Sequence, residues 1–136
     1  MTTAQILRQA PILFASNLRD SIAYWRDKLG FEEHGIFGEP PGFAIMKRGN
    51  AFAMLSQAPK DHAILPNWRI KEGLWNAYFW LDDVQALFDE VRGRGATIDY
   101  GLCDQFYDVR EFAVHDPDRH SIGFGQVLTK APGGQP

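Results

Sequence analysis

Cysteine occurs once in the 136 residues, at Cys103. No internal disulfide can form, and a single thiol fits a reducing compartment. Long apolar runs are missing too. Nothing approaches the roughly 18 consecutive apolar residues of a membrane-crossing helix, and Met1–Gln9 lacks the apolar stretch of a signal peptide. The expectation is a cytoplasmic chain with no membrane partner. Basic residues are not in excess: 14 Lys and Arg stand against 17 Asp and Glu, for a net charge of −3. That excludes the basic footprint of a nucleic-acid-binding protein and is too small to dictate a ligand's charge. Present in quantity are apolar residues, 45% of the chain, and aromatic ones, 13%, four of them Trp. The length suits one domain, and the rings either fill its core or line a pocket.

Apolar Ile12–Phe14 precede Ser16 and Asn17, either of which can cap a helix. Leu18, Ile22, Trp25 and Leu29 then recur on one helical face, and Gly30 stands where a left-handed residue would end it. Three strand-like runs follow: Phe31–Phe37, Phe43–Lys47 and Ala51–Ser56, the last two joined by a turn at Arg48-Gly49-Asn50. The order then repeats. Trp75–Leu81 reads as a strand. Asp82 or Asp83 caps a helix with the apolar face Val84, Leu87, Phe88 and Val91, and Gly95 closes it. Thr97–Tyr100, Arg110–His115 and Ser121–Gly125 are the remaining strands, with a turn at Asp116–His120 between the last two. Asn17 and Asp83 are 66 residues apart, Gly30 and Gly95 65, which signals an internal duplication. The expected organisation is α+β: two βαβββ modules, about 10–57 and 75–128, forming a curved mixed sheet around a cavity. A linker occupies 58–74 and a Gly/Pro-rich tail 129–136.

Ser21-Ile22-Ala23-Tyr24-Trp25-Arg26-Asp27-Lys28-Leu29-Gly30-Phe31, Asp82-Asp83-Val84 and Arg110-Glu111-Phe112-Ala113-Val114-His115-Asp116-Pro117-Asp118 carry a resemblance to a known family. They resemble the first helix, the second helix start and the closing hairpin of the vicinal oxygen chelate superfamily, which comprises glyoxalases, bleomycin resistance proteins and dioxygenases. The match spans roughly residues 10–128. The resemblance implies the fold more firmly than an activity, because this fold hosts isomerases, dioxygenases, thiol transferases and non-catalytic drug-binding proteins. Enzymes of the superfamily hold a divalent metal with four side chains, two from the first strands and two from the last strands of the halves. Counting from the capping residues and the closing hairpin, these positions are Ala10, Met54, Asn76 and Gly123. Ala and Gly offer no ligand atom, Met is soft, and Asn is a weak neutral donor, whereas such an ion wants carboxylate and imidazole. Neighbours Gln9, Pro11, Ala53, Leu55, Trp75, Ala77, Ile122 and Phe124 supply neither group. The implied reading is a chain with no metal and no cofactor, closest to the members that sequester a drug without transforming it.

Strand alternation puts Phe14 on the face of position 10, Tyr78 and Trp80 on that of Asn76, and Phe52 on that of Met54. The ligand-binding expectation is therefore Phe14, Phe52, Met54, Asn76, Tyr78 and Trp80, with Arg110 as a further polar contact, the rings stacking on a planar molecule or else filling the space a metal would take. Gly123 and Gly125 favour an open cavity, since glycine permits close approach to the backbone. Arg110 either clamps an anion as a planar fork or pairs with an acid nearby. Glu111 alternates to the opposite face. His34, His62, His115 and His120 lack an evident catalytic partner, and Cys103 has no base beside it. Asp99–Asp108 reads as a mobile loop over the cavity mouth. The leading expectation is a metal-independent small-molecule-binding protein of antibiotic-resistance type, taking an aromatic or glycopeptide-like compound and forming a homodimer. The alternatives are a lyase, isomerase or dioxygenase with an atypical site, and a regulatory module with an incidental cavity.

Overall fold

The computed structural model describes residues 2–129, so the tail at 130–136 lies outside the described residues. The chain divides between Ile64 and Leu65 into two compact units, and both run strand, helix, three strands. The first holds β1 (Ile12–Ala15), α1 (Leu18–Asp27), β2 (Glu32–Phe37), β3 (Phe43–Arg48) and β4 (Ala51–Gln57). Its sheet order is β1-β4-β3-β2, with β1 parallel to β4 and the other pairs antiparallel. The second holds a short α2 (Asn67–Ile70), then β5 (Ala77–Trp80), α3 (Val84–Gly93), β6 (Thr97–Asp104), β7 (Val109–His115) and β8 (Ser121–Val127). Its order, β5-β8-β7-β6, is the same topology again, with β5 parallel to β8. The α+β duplication expected from the sequence is present in both units.

The long helices α1 and α3 start and stop for matching reasons. The Asn17 side chain accepts from the Asp20 amide at 3.2 Å, and that of Asp83 from the Ala86 amide at 3.0 Å, which satisfies one of the free N–H groups of a helix start. A second free amide is met from across the sheet. Gln57 at the end of β4 accepts from Leu18 N at 2.8 Å, and Gln126 in β8 accepts from Val84 N at 3.0 Å. At the other end Gly30 and Gly95 adopt φ of 74° and 88°, a conformation glycine takes without a Cβ clash. Leu18, Ile22 and Trp25 of α1 are buried, Trp25 meeting Phe31 edge-on at 4.8 Å. Val84, Leu87 and Val91 of α3 are buried, with Phe88 edge-on to Phe112 at 5.1 Å. Each such side chain contributes roughly 1.5–3 kcal/mol, more than enough to set which sheet face the helix covers.

One expectation fails. The stretch from Asp99 is no loop: β6 continues to Asp104, and only Gln105–Asp108 turns back toward β7. The strand stays paired with β7 through register irregularities between Ile98 and Tyr100 and between Tyr100 and Cys103. The linker likewise contains α2. Among the described residues no helix is long and apolar enough to cross a membrane.

Candidate functional site

In the second unit, the sheet face turned away from α3 is organised by one residue. Glu111 sits in the middle of β7, opposite Gly125 of β8 and Cys103 of β6, and its side chain is fully buried. Its neighbour Phe112 points the other way, under Phe88 of α3. The Glu111 carboxylate accepts four hydrogen bonds. Tyr78 and Tyr107 each donate to Oε1 at 2.8 Å, while Tyr100 at 2.5 Å and the Gln105 amide at 3.3 Å donate to Oε2. The Trp75 indole N–H donates in turn to the Tyr100 hydroxyl at 2.9 Å. Among the described residues no Lys, Arg or His forms an ion pair with Glu111. The described donors to the buried carboxylate are all neutral, and hydrogen bonds to a charged group are worth about 1.5–3 kcal/mol each.

Two glycines make this possible. A Cβ on Gly123 would lie 2.6 Å from Tyr78 Cδ2 and 2.8 Å from Trp75 Cδ1. A Cβ on Gly125 would fall on the Tyr78 hydroxyl and 2.8 Å from Val109 Cγ1. Bare backbone lets the Tyr78 ring lie across β8 and reach Glu111 on the next strand. The room expected for a ligand at these glycines is taken by Tyr78 and Trp75. Burial first, and the hydrogen bond to Glu111 second, hold the Tyr78, Tyr100 and Tyr107 phenols well above the ordinary tyrosine range, so they stay protonated and stay donors. Burial also pushes the Cys103 thiol up, with the Glu111 and Asp104 charges adding to it. Its Sγ donates to the Glu111 carbonyl at 3.7 Å, and nothing there makes it a nucleophile.

The residues expected to bind ligand are distributed as follows. Tyr78 and Trp80 share the face, their ring centroids 5.3 Å apart, and Trp80 is 53% exposed. Asn76 is committed to its own chain: its Oδ1 accepts from the Asn67 amide at 3.0 Å, at the start of α2. Arg110 does not join them. It stands opposite Gln126, on the α3 side of the sheet, and pairs with Asp104 through two hydrogen bonds of 2.6 and 3.1 Å. That pairing raises the Arg110 pKa and lowers that of Asp104. Its neighbour Glu111 is the one that faces Tyr78. The signal lay in the hairpin: a turn at Asp116–His120 sets β7 against β8 so that Glu111 meets Gly125.

In the first unit, Phe14 is 53% exposed and Ile12 66%, on the face of β1 away from α1. Met54 is half-buried between Ile12 and Ile45. Phe52 is buried, with His34 edge-on at 5.6 Å and Arg8 and Lys47 5.0 and 5.8 Å from its ring centre. Of the other histidines, His120 is buried against Asp116 at 2.8 Å. Asp116 also accepts from the Asp118 and His120 amides, a turn-fixing role. His115 lies 3.4 Å from Asp99 and stacks on Trp68.

The four positions where metal-dependent members of the resembled superfamily place ligands do not fit a divalent ion. Ala10 and Gly123 have no donor, the Asn76 oxygen is engaged with Asn67, and a side chain at Gly123 would collide with Tyr78 and Trp75. Among the described residues no three His, Cys, Asp or Glu side chains cluster as a metal site.

The sequence pattern of the Glyoxalase family, described as the Glyoxalase/Bleomycin resistance protein/Dioxygenase superfamily, matches residues 5–124. A bleomycin resistance protein of Geobacillus stearothermophilus is 25% identical over 138 residues, covering 90% of this chain and 98% of that protein. The crystal structure of a bleomycin-binding protein from bleomycin-producing Streptomyces verticillus, complexed with copper(II)-bleomycin, superposes with a TM-score of 0.67. It is 26% identical and covers 90% of this chain and 97% of its own. A glyoxalase/bleomycin resistance protein/dioxygenase from Alicyclobacillus acidocaldarius gives a TM-score of 0.73 at 12% identity, over 90% and 92% of the two chains.

Proposed function

This chain belongs to the glyoxalase/bleomycin resistance protein/dioxygenase superfamily, and on that premise we propose that it is a metal-independent binding protein that sequesters an aromatic or glycopeptide-like compound. The observation that carries the reading is the near full-length match to bleomycin resistance proteins, joined to ligand positions that read Ala10, Met54, Asn76 and Gly123. Exposed rings support it. Trp80 and Phe14 occupy equivalent places on the two edge strands, each 53% exposed, and a rigid ring offers stacking area at little entropic cost. The working assembly in this reading is a homodimer.

Calorimetric titration tests the proposal, with copper(II)-bleomycin and metal-free bleomycin as probes and chelator-treated protein in the cell. One molecule bound per chain, with no change in the recovered compound, is the expected result. Trp80→Ala should weaken binding by about 2–4 kcal/mol, thirty-fold to several hundred-fold. Absence of binding to either form and to a broad panel of aromatic compounds overturns the proposal, as does turnover that depends on added metal.

A further inference from the structure

Glu111 fixes the direction of every hydroxyl around it, and that has a consequence for ligand choice. A phenol has one proton to give and lone pairs to receive with. Tyr78, Tyr100 and Tyr107 all spend their protons on Glu111, so each oxygen has only acceptor capacity left. The protein already uses one of the three in this way: the Trp75 indole N–H sits on the Tyr100 oxygen at 2.9 Å. Tyr78 is half-buried and Tyr107 is 41% exposed, and both donate to the same carboxylate oxygen, which brings their own oxygens together on this face. The nearest cationic side chain on the hairpin, Arg110, is on the opposite face and tied to Asp104. A buried carboxylate with no counter-charge among the described residues adds a negative potential, stronger for being shielded from water.

We infer that the Tyr78 and Tyr107 oxygens, turned to acceptors by Glu111, form a subsite for a hydrogen-bond-donating group, an ammonium or ring N–H, on the bound compound, and that the subsite discriminates against carboxylate and phosphate. The inference rests on the binding function proposed above and names the chemical class of ligand for it. Trp80, its ring 5.3 Å from that of Tyr78, supplies the adjoining stacking surface.

Three probes with one ring system and different end groups provide the test: 2-naphthylmethylammonium, 2-naphthylmethanol and 2-naphthoate, titrated by calorimetry. The ammonium should bind tightest and the carboxylate weakest, separated by about tenfold or more. Glu111→Gln removes the charge and gives the neighbouring oxygens an amide donor to accept, which frees a phenol proton to point outward. The preference should then shrink to within about threefold. Tyr107→Phe keeps the ring on an exposed turn and removes one acceptor. It should weaken the ammonium probe by about threefold to tenfold and leave the carboxylate unchanged. This second variant, checked for fold by circular dichroism, carries the test if Glu111→Gln does not fold. Equal or tighter binding of 2-naphthoate overturns the inference, as does an ammonium preference untouched in both variants. Failure of all three probes overturns it as well; copper(II)-bleomycin binding in the same protein would show the broader binding function surviving without it.

Discussion

The two sheets share one topology and differ in what covers the face their helices leave free. Register makes the comparison residue by residue. Ile12 and Phe14 stand opposite Met54 and Ser56 in the first sheet, as Tyr78 and Trp80 stand opposite Gly123 and Gly125 in the second. One strand further in, Phe43 faces Ser56 where Glu111 faces Gly125. In the first sheet the middle positions carry side chains, so the edge-strand residue cannot cross them, and Ile12 stays 66% exposed. In the second, two missing Cβ atoms let Tyr78 lie down across the strand and hydrogen-bond to the strand beyond. Bare backbone at the centre of the second sheet thus goes with a buried polar network where the first sheet keeps exposed apolar side chains. Such a network is stabilising only while all its members are satisfied.

Replacing the two equivalent central residues gives the strongest test of that contrast. Glu111→Ala leaves three phenols and an amide without their acceptor and opens a cavity, so urea unfolding should show a loss of roughly 3–5 kcal/mol. Phe43→Ala, on a half-buried position, should lose roughly 1–2 kcal/mol. Similar losses at both positions would erase the distinction between the sheets. The next effect is smaller. Gly125→Ala drives a methyl into Tyr78 and should cost roughly 1–3 kcal/mol, while Ser56→Ala at the matched position should stay within about 0.5 kcal/mol. A neutral Gly125→Ala would mean that Tyr78 does not need the bare backbone. The smallest effect at neutral pH, which is none, concerns the phenols. Three of the four tyrosines, Tyr78, Tyr100 and Tyr107, have raised pKa values in the folded state. Unfolded tyrosines lose their protons near pH 10. Above that pH the unfolded chain therefore binds fewer protons than the folded one, and stability falls as pH rises. Absorbance at the tyrosinate wavelength should show these three phenols ionising together with unfolding, not before it. Smooth ionisation of all four near pH 10 with the fold intact would remove the network from the account.

Much of the scaffold was legible in the chain. Asn17, Asp83, Gly30 and Gly95 marked both helices because capping and left-handed termination demand particular residue types. The 66-residue offset gave the duplication. The roles of Gln57 and Gln126 have no signature in the sequence, because a side chain that caps a helix from a distant strand leaves no local pattern. The site was half legible. Alternation puts Tyr78 and Trp80 on one face, and the charge of Arg110 suggests ligand recognition, but nothing in the sequence marks Glu111 as a buried acceptor. Burial of a carboxylate is a tertiary outcome. It required Tyr100 and Tyr107 to arrive from a bulged strand and its turn, a pairing that no local pattern announces. In sequence Gly123 and Gly125 suggest an open cavity; in the fold the space beside them is filled by the rings of Tyr78 and Trp75.

The two glutamines join residues far apart along the chain: Leu18 to Gln57, 39 positions on, and Val84 to Gln126, 42 positions on. In each unit the first turn of the helix is completed by the last strand to be synthesised. A nascent chain that has emerged only as far as β7 carries an α3 whose opening amide still lacks its partner. Loss of a few residues at the far end of β8 would accordingly be registered first as fraying at Val84, and amide-hydrogen exchange at Leu18 and Val84 reports whether the closing strand of each unit has docked.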